Sequence, residues 1–166
     1  MAFTTSKIKT TQRSKILVPA RLAKLGATAG WTAPETGVDS SVVQCPASQT
    51  AATLVLPING LAVGDTITGL CMKGGTAGAA AKTLAWSLYK VTGASGTITP
   101  ALIQALTSDA TGTAHAVSTE TLLTTPYKIA TNEQYYVLFT TTTAAGVTFD
   151  LTGVEVYVKK TFGQES

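Results

Sequence analysis

The sequence predicts an all-β protein: a two-sheet antiparallel sandwich, jelly-roll-like, preceded by an extended basic N-terminal arm. Three observations point there. Of 166 residues, 31 are Thr and 24 are Ala, and only 13% are charged, against a usual share of about 25%. Helix surfaces want Glu, Lys, Gln and Arg, whereas Thr, Val and Gly suit pleated surfaces and turns. From Thr50 onward, apolar and polar residues alternate in short runs broken by Gly, Asn, Asp and Pro clusters, the period of half-buried strands. Finally, six of the twelve basic residues fall in the first 24 positions, ahead of the first acid, Glu35. The length suits one domain that buries roughly two thirds of its unfolded surface. No apolar run approaches the ~18 residues of a membrane span.

Residues 1–30 form the arm. Within it, Pro19 to Leu25 suits a short helix stopped by Gly26, with Leu22 and Leu25 on one face and Arg21 and Lys24 beside them. Residues 31–49 are turn-rich, with one brief strand at Ser41–Gln44. Thr50–Ile58 and Thr66–Lys73 are strands, and the glycine-rich Gly74–Lys82 is a loop. Thr83–Thr92 has the cleanest alternation, with Leu84, Trp86 and Leu88 on one face. After a turn at Gly93–Gly96, ALIQAL predicts a short helix capped by Thr99, because Leu102 and Ile103 would point opposite ways in a strand. Ala114–Leu123 is a strand broken by Thr125-Pro126. Tyr127–Ala130 and Gln134–Thr142 follow.

The last strand, Val147–Lys160, changes phase. Val147, Phe149 and Leu151 are odd-numbered; Val154, Val156 and Val158 are even, and Gly153 sits at the change. A β-bulge there keeps both sets facing one core; the alternative is a strand that crosses between sheets. About eight strands result. Their apolar faces bury best as two packed sheets over residues 31–160, leaving 161–166 as a tail. A jelly-roll-like sandwich is favoured over an immunoglobulin fold, since Cys45 and Cys71 both precede Trp86.

No constellation states a chemistry. His115 is the one histidine, and no nucleophile elbow accompanies it. Asp65, Asp109, Asp150 and Glu155 are spread along the chain as surface acids, without a glycosidase pairing. Phosphate-loop, dinucleotide, EF-hand and HExxH motifs do not occur. The expectation is therefore a non-enzyme with no cofactor, no metal, no small-molecule substrate and no membrane partner. Cys45 and Cys71 are expected to be free thiols, Cys71 in the core.

Two binding surfaces are candidates. Lys7, Lys9, Arg13, Lys15, Arg21 and Lys24 make the arm a docking segment for an acidic surface, with salt-sensitive binding. Nucleic acid is the weaker partner, because the body lacks basic residues interleaved with aromatics. Trp31, Tyr135 or Tyr136, and Tyr157 could form a glycan platform if exposed. The start, MAFTTSKIKTTQRSKILVPA, has no apolar secretion segment, so assembly in the cytoplasm is expected.

The segments TLVLPINGLAVGDTITGL, TLAWSLYKVTGASG and NEQYYVLFTTTTAAGVTFDLTGVEVYVKK, in that order, resemble the small β-sandwich virion proteins of tailed bacteriophages, including head decoration and head-fibre proteins. The resemblance covers about two thirds of the chain, Thr50 to Lys160. It implies a structural role in the virion and symmetric homo-oligomers, often trimers. It also implies attachment to the major capsid protein or another virion protein through an N-terminal segment, to which Lys7–Lys24 correspond by position and charge. The competing expectation is a host-surface or carbohydrate-binding module on the same fold.

Overall fold

A computed structural model describes residues 9–25, 30–33, 42–77, 82–94, 97–109, 116–117 and 120–163. Eleven strands lie within them: β1 (Lys9–Pro19), β2 (Lys24–Leu25), β3 (Val43–Cys45), β4 (Ala52–Ile58), β5 (Thr66–Ala77), β6 (Lys82–Ala94), β7 (Thr97–Asp109), β8 (Ala116–Val117), β9 (Thr121–Lys128), β10 (Glu133–Thr143) and β11 (Thr148–Gly163). Every pairing between them is antiparallel.

The strands form two sheets. In sheet A, β11 and β5 are central; β1 and β3 share the free side of β11, and β9 and β8 share the free side of β5. Sheet B runs β2-β4-β10-β6-β7. Without β1, β2 and β8, the orders are β3-β11-β5-β9 and β4-β10-β6-β7. Only the β6–β7 connection stays within one sheet. Eight strands that otherwise alternate between two sheets make a jelly roll.

The inner faces interlock by simple parity. Odd residues of β10 (Tyr135, Val137, Phe139) and even residues of β4 and β6 (Leu54, Leu56, Trp86, Leu88) are buried. They meet Phe149, Leu151, Val154, Val156, Ile67, Leu70 and Met72 of sheet A in one core cluster. Phe139 is its hub, stacked on Trp86 at 6.0 Å and tilted against Trp31 at 6.4 Å. Trp31 also meets Phe149 edge-on at 6.0 Å. Such aromatic pairs add to the area they bury. Thr141 is buried beside these residues, and its hydroxyl finds no hydrogen-bond partner among the described residues. Thr141→Val exchanges an unpaired hydroxyl for a methyl of similar shape. It is expected to raise stability by about 1 kcal/mol, which urea unfolding would measure.

The phase change in β11 is a bulge. Leu151 pairs with Gly74 and Gly153 with Lys73, so Thr152 is the extra residue. The strand stays in sheet A throughout, and both valine and aromatic sets face the core. At the bulge the neighbouring backbones close in. A Cβ on Gly153 would stand 2.5 Å from the Val18 carbonyl oxygen, and one on Gly74 2.5 Å from that of Asp150. Gly74–Ala77 therefore continues β5 instead of starting the predicted loop: its glycines allow a close approach.

Four further expectations are corrected. Residues 9–19 are not an extended arm ahead of the sandwich. They pair with β11 along their whole length, Lys9 with Gly163 to Pro19 with Gly153. Val18 is buried and Ile16 packs on the core, while Arg13, Lys15 and Leu17 face out. The charges belong to the outer half of an amphipathic strand. The helix expected at Pro19–Leu25 is one 3-10 turn, Ala20–Leu22, before β2 carries the chain to sheet B.

ALIQAL lies in β7. Gln104 pairs with Leu88 and Leu102 with Tyr89, so Ile103 is a bulge residue. The bulge lets Ile103 pack on the core while Leu102 points out, a spacing that mimics a helical turn. Lastly, β9 runs through Thr125-Pro126. Tyr127 pairs with Ile67 and Leu122 with Gly69, so the intervening residues bulge and Pro126 needs no ladder hydrogen bond.

Candidate docking face

Sheet parity decides which charged residues share a surface. In β11 the even residues from Val154 enter the core, so Glu155, Tyr157 and Lys159 lie on the outer face of sheet A. Register sets Lys15 beside Tyr157 and Arg13 beside Lys159 on one flank. On the other it sets Cys71 beside Glu155, Gly69 beside Tyr157 and Thr66 beside Lys159. Lys128 of β9 lies across Thr66 from Lys159. A single five-cation field results: Arg13, Lys15, Lys73, Lys128 and Lys159.

Two carboxylates organise its centre. Glu155 is 9% exposed, not the surface acid expected. Its oxygens accept from Lys15 Nζ at 2.9 Å and the Tyr157 hydroxyl at 3.1 Å, and lie 3.4 Å from Lys73 Nζ. The Lys15 hydrogen bond, with those of Tyr157 and Lys73, holds its carboxyl below the ordinary value against the effect of burial. Lys15 is correspondingly raised by its hydrogen bond to Glu155 and the Glu155 charge. Glu120 pairs with Arg13, reaching over Gly69, whose missing side chain leaves the space: a Cβ there would lie 2.5 Å from Glu120 Oε1. The Arg13 guanidinium also covers the Tyr157 ring at 4.8 Å. Asp150 is further along, held by Gln44 Nε2 at 2.7 Å. Among the described side chains of this face, cations thus outnumber carboxylates five to three. A depression of about 300 Å³ lies between Arg13, Thr68, Leu122 and Lys159, with Leu122 exposed.

Of the six predicted docking residues, Arg13 and Lys15 are on this face. Lys7 lies outside the described residues, and the Lys9 backbone begins β1. Arg21 is on the 3-10 turn and Lys24 is on β2 in sheet B. Lys73, Lys128 and Lys159 were missed, and Tyr157 was a candidate only as a glycan-platform ring. The alternation of Glu155, Tyr157 and Lys159 was the available signal.

The glycan-platform candidates do not share one surface. Trp31 is buried, its indole N–H donating to the Ala52 carbonyl at 3.3 Å. Tyr135 is buried too, with its hydroxyl on Glu133. Tyr136 is half-buried on the outer face of sheet B, stacked on Tyr89 at 5.3 Å. The first two rings face the interior and cannot present a flat surface to a sugar.

A second polar cluster closes one end of the sandwich. Glu133 accepts from Lys90 Nζ at 2.6 Å, from the Tyr127 hydroxyl at 3.0 Å and from the Tyr135 hydroxyl. It borders a cleft of about 340 Å³ that includes Asn59, Leu61, Ala130 and Asn132. Burial pushes Glu133 up, but the hydrogen bonds from Lys90, Tyr135 and Tyr127 outweigh it and bring the carboxyl down to about 2. Lys90 is raised by its hydrogen bond to Glu133. Both shifts lead away from neutrality, whereas a general acid or base works best near the operating pH. The cluster is a brace. Asp65 is likewise buried, accepting the Ala62 N–H at 3.1 Å inside its turn.

His115 lies outside the described residues. Among those described, no three His, Cys, Asp or Glu residues stand close enough to hold a metal ion. Both cysteines are free and buried. Cys45 ends β3, and burial pushes its thiol up to about 11. No helix among the described residues is long and apolar enough to cross a membrane.

No protein-family model matches the chain, and no curated protein matches it. Among solved structures it is similar to a chain in the structure of infectious bursal disease virus, Gt strain, with TM-score 0.40 and 12% sequence identity over 89% of this chain and 33% of that chain. This chain therefore spans about a third of that viral chain's length.

Proposed function

We propose that this protein is a non-enzymatic structural component of a virus particle, a capsid-associated jelly roll of the decoration or fibre type, moored through the outer face of sheet A to an acidic protein surface. The observation that carries the proposal is the five-cation face itself. Its two central carboxylates are already engaged by Arg13, Lys15 and Lys73, which leaves positive charge over for a partner. Jelly rolls recur in viral capsids, lectins and cupins. The lectin alternative is opposed by the burial of Trp31 and Tyr135. An enzymatic reading is opposed by ionisable clusters locked in their charged states. The sequence resemblance to tailed-phage virion proteins supports the same role.

The test uses an acidic polypeptide as probe. Wild-type protein is expected to bind immobilised poly-glutamate at low ionic strength and to elute as salt rises. Lys128→Glu/Lys159→Glu reverses two exposed cations outside the Glu155 network and should abolish retention while leaving the unfolding temperature unchanged. Equal retention of variant and wild type would overturn the assignment of this face.

A further inference from the structure

The two outer faces of the sandwich have opposite characters. The outer face of sheet B is built by Thr53, Val55 and Pro57 of β4, the even residues Gln134 to Thr142 of β10, the odd residues Ala85, Ser87, Tyr89 and Val91 of β6, and Pro100, Leu102 and Ala105 of β7. The registers align these rows across the sheet. Among its described side chains the single charge is Lys24, at the β2 margin. At its middle Tyr136 stacks on Tyr89, and Leu138 lies next along β10. Leu102 is 55% exposed and Ile98 74%.

We infer that this face is the contact between copies of the chain. Three arguments select a second copy as the occupant. The first is charge. A two-fold contact places a surface against itself, so it must not repel itself. The outer face of sheet A, with its surplus of cations, fails that condition; the outer face of sheet B meets it. The second is size. Five strands about 4.8 Å apart, with outward residues over some eight positions, span on the order of 25 Å by 25 Å. That is comparable with the ~800 Å² per partner of a standard stable interface. The third is composition. A central aromatic pair ringed by small hydroxyl and aliphatic side chains is the anatomy of an interface core, which is depleted of charge and enriched in Tyr. The contact would leave both basic faces pointing outward, free for the docking proposed above.

The inference rests on the assembly reading, but its test is separate, because self-association is measured on the purified full chain with no acidic probe. Sedimentation equilibrium over the micromolar range should show a wild-type oligomer. Leu138→Glu should weaken association at least about 30-fold, since each contact then buries like charges. Leu102→Glu, at a side chain already more than half exposed, cannot disturb the core and should weaken it in the same direction. Lys128→Glu/Lys159→Glu should associate as the wild type does. A wild-type chain that stays monomeric over the whole range would overturn the inference and leave this face to a different protein. Variants that associate as tightly as wild type would also overturn it.

Discussion

Gly153→Val is expected to cost at least about 3 kcal/mol, a fall in melting temperature of roughly 6–12 °C for a chain of this length. The Cβ alone would stand 2.5 Å from the Val18 carbonyl oxygen, 3.3 Å from its carbonyl carbon and 3.4 Å from Pro19 Cα. All three are backbone atoms, so no rotamer change relieves the clash. Either β11 loses its bulge or β1 separates from it. The first outcome turns Val154, Val156 and Val158 away from the core; the second removes Arg13 and Lys15 from the docking face. Poly-glutamate retention should therefore fall together with stability. Gly93→Ala is the matched control, because nothing lies within 4 Å of its added Cβ; it should change stability by less than about 0.5 kcal/mol. A Gly153→Val protein within 1 kcal/mol of wild type in urea unfolding would mean that β1 does not bear on β11 as described.

The same pairing bears on how docking should be tested. Deleting the first 25 residues would remove an edge strand of eleven residues and the turn that follows it. Lost binding would then report a damaged sheet as much as a lost contact. Charge reversal at Lys128 and Lys159 keeps every strand and alters the field alone.

What could be read from the sequence was local in range. The slip around Gly153 was legible because two runs of alternate apolar residues in one strand must share one core. The shared face of Leu84, Trp86 and Leu88 followed from alternation in the same way. The misreadings came where a partner strand decides. Leu102, Ile103 and Leu106 have the spacing of a helical turn, and a bulged strand reproduces that spacing only because β6 pairs on either side of Ile103. In β1 the charges concealed an amphipathic strand, since Ser14 and Ile16 are modest inward residues. Trp31, in a turn-rich stretch with no alternation around it, has nothing local to say whether it is exposed, and it meets Phe139 and Phe149 from distant strands. The docking face was half legible. Glu155, Tyr157 and Lys159 alternate in sequence, but Lys15 reaches Glu155 across 140 positions, and no local pattern encodes that register.

Glu133→Gln is expected to lower stability at neutral pH by about 2 kcal/mol and to flatten the acid limb of the stability curve. The Glu133 carboxyl lies at about 2 in the folded chain against an ordinary 4.5. Its contribution is thus fully present above pH 4.5 and disappears as pH falls toward 2, where the native protein must take up a proton it resists. Wild type and variant should differ most at neutral pH and converge near pH 2. Lys90 works in the opposite direction. Raised above its ordinary 10.5 by the same contact, it contributes fully below that value and loses its contribution only as pH climbs beyond it. The pair therefore supports a broad plateau from about pH 5 to pH 10. Some acid slope should survive in the variant, because Glu155 is also held below its ordinary value by Lys15, Tyr157 and Lys73. The check is urea unfolding at a series of pH values for both proteins. If Glu133→Gln keeps the full wild-type slope between pH 4.5 and 2, the acid limb belongs to Glu155, and the end cluster is not the brace its hydrogen bonds describe.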